Sequence, residues 1–373
     1  VLLNVEVVSK CFIKTHKLYE ATDFMEEDMI DLINYGLTPD MIPLDCKGIP
    51  ARITAVHKER YVLICEYGEI YGRLKSSVYY VKTLMEYPVT GDFVMINYNS
   101  NGDSQIIRTL QRKSKFSRND FSGHSVKYVK TVKEQVVAAN FDYVFILQSC
   151  NHDLNVRRLE RYLTLAWQSG AIPVVLLTKE DLVEDYEEIL NTIEAVTVGV
   201  NVHPISAITG YGLDALEGYL QPGKTIVFLG SSGVGKSSLV NALMGNEVMP
   251  VSEIREDDSR GRHTTTHREM FVLPNASIVI DTPGMREVGM WDVSEGLNKA
   301  FLDVEEMIEN CRFSDCRHET EPGCAVKAAI ESGALALGRW ESYMKIKGEV
   351  KFATDKSIIL KNKNARNKTL KNK

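Results

Sequence analysis

Gly230-Ser231-Ser232-Gly233-Val234-Gly235-Lys236-Ser237 fits the phosphate-binding pattern G-x-x-x-x-G-K-[S/T] at every fixed position. An apolar β-type run, Thr225–Leu229, precedes it, and Ser238–Met244 follows as a helix-compatible segment. This strand–loop–helix context is the one the pattern requires. The glycines let the backbone curl so that successive N–H groups face phosphate oxygens, and the helix N-terminus adds partial positive charge. Lys236 is placed to reach the β- and γ-phosphates. The Ser237 hydroxyl is placed to hold magnesium, with Ser238 beside it at the helix start. The competing reading, a Gly/Ser-rich turn before a helix, loses its weight once the flanking strand and helix are counted. A nucleoside triphosphate site is predicted.

The base is read upstream. Ile172–Thr178 has the composition of a buried parallel strand and runs into Thr178-Lys179-Glu180-Asp181, close to the N-K-x-D element of GTPases. A carboxylate at Asp181 can accept from both the ring N–H and the exocyclic amine of guanine, a donor pair that adenine lacks. The stem of Lys179 is expected along the base. Thr178 stands where the pattern has Asn. A second strand-like run, Val200–Ile205, ends at Ser206-Ala207, resembling the S-A-K/L element whose backbone contacts the guanine oxygen.

Downstream lie Arg262-His263-Thr264-Thr265-Thr266 and, after the β-branched run Ala276–Ile280, Asp281-Thr282-Pro283-Gly284. Asp281 is expected to hold magnesium through water, and the Gly284 N–H to meet the γ-phosphate. Thr265 is the favoured threonine to close over the metal, with Thr264 and Thr266 open as alternatives. Base recognition thus precedes the phosphate loop, which precedes the switch elements, whereas ordinary GTPases run in the reverse cyclic order. A parallel sheet of βα units can be cut and rejoined at exposed loops without changing its packing, so a circular permutation is expected.

After the switches comes Cys311-Arg-Phe-Ser-Asp-Cys316-Arg-His318-Glu-Thr-Glu-Pro-Gly-Cys324, spaced C-x4-C-x-H-x5-C. Three cysteines and a histidine form a closed tetrahedral donor set suited to structural zinc, and Pro322-Gly323 supplies a turn that returns Cys324 to the cluster. Seven cysteines in all, and the expectation that the chain carries no export signal, argue against disulfides. Cys11, Cys46, Cys65 and Cys150 are scattered and are expected as packed small hydrophobes.

Taken together, the permuted order and the zinc-type spacing resemble the ribosome small-subunit-dependent GTPase A family (RsgA/YjeQ), over roughly residues 48 to 345. The resemblance implies a multidomain chain: a small β-barrel of the oligonucleotide-binding type, an α/β P-loop GTPase domain with permuted motifs, and a small, mainly helical zinc-binding domain. It implies a GTP hydrolase that binds the small ribosomal subunit and its rRNA, assists late maturation, and is stimulated there. It also favours His263 as the residue that positions the attacking water, since Met285 occupies the place where many GTPases carry a water-orienting Gln. The expected catalytic set is His263, Lys236 and Thr265. A monomer is expected, without DNA or membrane partners. Two other classes stay open: a guanine-nucleotide-sensing RNA-binding scaffold with negligible turnover, and a P-loop ATPase with a zinc-type RNA module.

The remaining sequence fits this division. At 373 residues the length favours two or three domains. No apolar run reaches the 18 or so residues of a membrane span, and the cytoplasm is the expected compartment. Residues 1–47 are an N-terminal extension with an acidic, helix-compatible stretch at 20–35, expected as a solvated appendage. Five short β-type runs (Ala51–Val56, Tyr61–Tyr67, Glu69–Leu74, Asp92–Tyr98 and Gln105–Leu110) fall in the barrel, 48–112. Residues 111–123 read as a basic linker into the GTPase domain, 113–290. The zinc domain and a basic tail occupy 291–373. From Lys345 onward ten Lys/Arg face two acids, a tail of +8 on a chain of −6, which leaves −14 on the first 344 residues. A flexible basic end on an acidic body suggests attraction to a phosphate backbone without sequence reading.

Overall fold

Six strands assemble around the phosphate loop in an order that the chain does not follow. The computed structural model describes residues 29–57, 60–79, 87–120, 133–151, 154–249, 269–281 and 293–351. Its main sheet contains β8 (Tyr143–Ser149), β9 (Ile172–Thr178), β10 (Asn201–Ile205), β11 (Thr225–Leu229), β12 (Glu269–Val272) and β13 (Ile278–Asp281). They lie in the order β10-β9-β8-β11-β13-β12. The five from β10 to β13 are parallel and β12 is antiparallel. The strands before the loop therefore sit on one side of β11 and those after it on the other, as a permuted chain requires.

Helices cover both faces. α3 (Lys236–Met244) buries Leu239 and Val240 against Phe145, Leu147 and Phe228 on one face. α1 (Val156–Gln168) buries Leu159, Leu163 and Ala166 on the other, with Asn155 Oδ1 capping its N-terminus by accepting from Arg158 N at 2.9 Å. α2 (Glu187–Glu194) flanks β10. The C-terminal helices α4 (Ser294–Ala300), α5 (Leu302–Glu309), α6 (Ala325–Ser332) and α7 (337–351) share the α1-side core through Leu297, Phe301, Val326 and Tyr343. Among the described residues no helix is long and apolar enough to cross a membrane.

The first five strands, β1 (Ile49–His57), β2 (Arg60–Cys65), β3 (Gly68–Leu74), β4 (Phe93–Asn97) and β5 (Ser104–Thr109), close on themselves in the order β1-β2-β3-β5-β4-β1. This is the expected small barrel, filled by Ala51, Ile53, Leu63, Val94, Ile96 and Ile106. A single antiparallel pair, Ala55 with Glu269, joins β1 to β12, so barrel and GTPase sheet are one hydrogen-bonded surface.

Two expectations need correction. Residues 115–120, read as part of a basic linker, form β6 (Lys115–Asp120), which pairs antiparallel with β7 (Lys133–Ala139). Phe116 is buried there and stacks on Phe141 at 4.8 Å, and that apolar contact outweighs the surrounding charges. The described part of the N-terminal extension is not a solvated appendage either. A short 3-10 turn, Leu32–Tyr35, is capped by Asp31 and stopped by Gly36, and Leu32 and Leu37 pack on Ile64, Phe93 and Leu110 of the barrel. Most of the acidic stretch lies outside the described residues.

A buried polar knot fixes the barrel to the GTPase sheet. Arg52, fully buried, donates to the carbonyls of Tyr35, Asn140 (2.9 Å) and Gly91 (3.3 Å), and lies 4.8 Å over the Phe93 ring. Burial pushes its pKa down to about 10. Asp92 beside it accepts two bonds from Arg112, at 2.8 and 2.7 Å. Gly91 has φ of 91°, and a Cβ there would collide with the Ala139 carbonyl oxygen, so the strands approach only because it is glycine.

Candidate nucleotide site and metal centre

All the carboxyl ends of the parallel strands point to one edge, where open α/β sheets bind ligands. The phosphate loop leaves β11 at Gly230 and enters α3 at Lys236, with Gly233 at φ 73° and Gly235 at φ 102°. Val234 anchors the loop, buried against the α3-side core. Ser231 is buried, Ser232 and Gly233 face solvent, and Ser237 and Ser238 are half-buried. Lys236 Nζ donates to the carbonyls of Gly230 (2.9 Å) and Ser231 (2.6 Å). A phosphate that takes up this ammonium must replace those two bonds. Asp281 ends β13, next to β11 in the sheet, one residue beyond the Thr225–Ile278 to Val227–Ile280 register.

The base-reading loops meet this edge from the other side. Thr178 ends β9 and Ile205 ends β10 in register. Lys179 adopts φ 62°, turning the chain so that Asp181 follows in a single 3-10 turn. Ser206 Oγ donates to Asp181 Oδ1 at 2.5 Å and itself accepts from the N–H groups of Ile208 and Thr209 at 3.2 Å. Ala207 follows, half-buried in the same turn. The carboxylate expected to read guanine is thus oriented by the serine expected beside it.

Thr178, the departure from Asn, has a defined place. Its hydroxyl is buried and donates to the Val234 carbonyl at 2.6 Å, with the Gln148 carbonyl at 3.3 Å. The base strand is therefore tied directly to the phosphate loop. A donor of one hydroxyl suffices for that tie, and pattern matching could not reveal it because the partner lies 56 residues away. Gln148 was not anticipated at all. It sits on the central strand β8, only 1% exposed, and among the described residues neither its Oε1 nor its Nε2 has a hydrogen-bond partner.

His263, Thr265 and Gly284, with Thr264, Thr266 and Met285, lie outside the described residues.

The second centre is Cys311, Cys316, His318 and Cys324, whose ligand atoms all lie within 4.8 Å of one another. Cys311 Sγ and Cys324 Sγ are each 3.5 Å from His318 Nδ1, and 4.0 Å apart. An ion bonded to sulfur at ~2.3 Å in a tetrahedron separates its ligands by ~3.7 Å, so the spacing fits zinc. The loop is built for this. His318 takes φ 63°, Gly323 takes φ 77°, and Cys324 Sγ caps α6 by accepting from Lys327 N at 3.5 Å. Glu321 accepts from the N–H groups of Arg317, Glu319 and Thr320 at 3.0–3.1 Å, and its own backbone N–H first, then these three, hold its pKa down at about 2. Burial lowers the His318 pKa, favouring the neutral imidazole that a metal needs.

Comparison with known proteins agrees with this architecture. Residues 109–291 match the RsgA GTPase domain family. Small ribosomal subunit biogenesis GTPase RsgA 2 of Listeria monocytogenes is 47% identical over 306 residues, 82% of this chain and 85% of that protein. The chain belongs to the RsgA GTPase family. A small ribosomal subunit biogenesis GTPase RsgA from Methanosarcina acetivorans is 45% identical over 276 residues, covering 73% of this chain and 72% of its own. Among solved structures, YjeQ from Thermotoga maritima aligns with a TM-score of 0.60 at 28% identity, covering 81% of this chain and 98% of that one. YloQ, a circularly permuted GTPase, shares the fold at a TM-score of 0.58. As an RsgA family member the chain is a GTP hydrolase with permuted motifs.

Proposed function

We propose that this RsgA family member binds the small ribosomal subunit and its rRNA in the cytoplasm, as a monomer. There it assists late maturation, hydrolysing GTP to GDP and phosphate at a rate the subunit raises. The observation that carries the reading is the Asp181–Ser206 pair and the Lys236 loop sharing one sheet edge, tied by the Thr178–Val234 bond. Relatives named as small ribosomal subunit biogenesis GTPases support the partner.

In this mechanism Asp181 accepts from the two guanine donors while Ser206 fixes its rotamer. Lys179 lies along the base, and the Ser206–Ala207 backbone meets the guanine oxygen. The N–H groups of 230–235 hold the phosphates, and Lys236 exchanges its two carbonyl bonds for β- and γ-phosphate oxygens. Ser237, Thr265 and, through water, Asp281 are hard oxygen donors suited to magnesium. When bound, magnesium offsets charge on the transferred phosphoryl group. His263 orients the attacking water and the Gly284 N–H meets the γ-phosphate. The basic residues from Lys345 onward add attraction to rRNA phosphates.

Multiple-turnover phosphate release with and without purified small subunits tests this. Stimulation by subunits is expected, and His263→Ala should cut the stimulated rate about 10²-fold, the scale of a lost acid–base or water-positioning group. GTP bound tightly but never turned over would instead support the scaffold reading, and equal competition by ATP the ATPase reading.

The cysteine–histidine set holds structural zinc in this proposal. Elemental analysis of the purified chain should find one zinc per molecule and none in Cys324→Ser. A metal-free wild type that keeps its fold would sink the assignment.

A further inference from the structure

The loops that present Asp181 are tied a second time, further out, by residues that belong to no base- or phosphate-binding motif. The phenol oxygens of Tyr186 and Tyr211 share a hydrogen bond of 2.7 Å, with ring centroids 6.3 Å apart and planes at 57°. Tyr186 is the residue before α2, and its carbonyl accepts from Leu190 N at 2.8 Å. Asp185 beside it accepts from Glu187 N at 2.8 Å, so this end of the loop is seated on the helix.

The Tyr211 end is equally fixed. Tyr211 stands between Gly210 (φ 82°) and Gly212 (φ 69°), and a Cβ at Gly212 would run into the Pro204 carbonyl oxygen. Its own carbonyl accepts from Ser206 N at 3.0 Å. Ser206 in turn donates to Asp181. Tyr186, Tyr211, Ser206 and Asp181 therefore form a closed circuit, completed by the five covalent links from Asp181 back to Tyr186. Opening the outer bond frees Tyr211, and through it the serine that orients the base-reading carboxylate.

We propose that Tyr186 and Tyr211 are a clasp across the base pocket that slows release of guanine nucleotide. Both are positioning residues acting through Ser206 on Asp181. The inference rests on Asp181 reading guanine, as proposed above. The Tyr211 hydrogen bond above all pushes the Tyr186 phenol up to about 12, so the clasp stays protonated wherever nucleotide binding is measured.

Release of a fluorescent GDP analogue from the full chain, followed by stopped flow, tests the clasp in wild type, Tyr186→Phe, Tyr211→Phe and the double variant. A hydrogen bond of ordinary net strength corresponds to about 2- to 10-fold in an equilibrium constant. Each single variant should release GDP faster by that factor, and the double no faster than either single, because all three break the same bond. Association rates and melting temperature should stay at wild-type values, which separates loosened positioning from damaged folding. Wild-type release in both singles, or effects that multiply in the double, overturns the clasp. Asp181→Asn in the same assay separates the two readings. If it abolishes the preference for GTP over ATP while the tyrosine variants release normally, the clasp alone fails. If the preference survives, guanine reading by Asp181 fails and the clasp with it.

Discussion

Lys236→Ala removes GTP hydrolysis while leaving the fold in place. Its ammonium is half-buried at the start of α3 and bonds to the Gly230 and Ser231 carbonyls, so the loop geometry already aims it into the curve where phosphates collect. Removing one preorganised charge-stabilising donor from a site of this kind costs about 10²–10³ in rate. The expected result is a fall of at least that size in single-turnover GTP cleavage, with weaker GTP binding and an unchanged circular dichroism spectrum. Lys236→Arg should not restore the rate, because a planar fork cannot occupy the space of a point ammonium inside the loop. Single-turnover cleavage within tenfold of wild type would remove Lys236 from the proposed mechanism.

Arg339→Ala should be the most destabilising single change in the described C-terminal helices. Arg339 on α7 is 7% exposed and spans three elements. Its Nη1 meets Glu160 of α1 at 2.9 Å, while Nε and Nη2 meet the two Asp303 oxygens of α5 at 2.7 and 2.6 Å. Nη2 also donates to the Ala300 carbonyl at 3.1 Å, and the guanidinium lies 4.6 Å over Phe301. Truncation leaves Glu160, 2% exposed, as an uncompensated buried charge, a change that costs about 3–5 kcal/mol. Burial already raises the Glu160 pKa in the wild type, and losing the cation raises it further. A group raised in the folded state stabilises below its ordinary pKa and loses that contribution as pH rises. The deficit of Arg339→Ala should therefore shrink toward pH 5 and grow toward neutrality. Urea unfolding at the two pH values checks both size and sign; a loss below 1 kcal/mol at neutral pH would refute it.

How far the sequence reveals this molecule depends on how local each cause is. The phosphate loop, the apolar runs of β9 and β11, and the cysteine–histidine spacing are legible because each depends on neighbours within a few residues. Pairs distant in sequence are not. Arg339 and Glu160 are 179 positions apart, Arg52 and Asn140 are 88, and no periodicity announces either. β6 is hidden by its polar residues, Lys115, Ser117, Arg118, Asn119 and Asp120, since only the partner strand shows that Phe116 faces inward. Thr178 shows in the sequence only as a departure from Asn, because its contact with Val234 exists only once the sheet has formed. Gln148, a polar residue within an apolar strand, carried a visible signal, the break in the run Val144–Leu147.

The pairing of Ala55 with Glu269 has a mechanical consequence. Glu269 opens β12, immediately after residues 251–268, the stretch that carries Arg262 to Thr266. Strand side chains alternate with a period of two, so β12 cannot creep by one residue without turning Met270 and Phe271 inside out. Any change of register in β12 must therefore also break the Ala55–Glu269 pairing, so the seam between the main sheet and the barrel holds that strand in place.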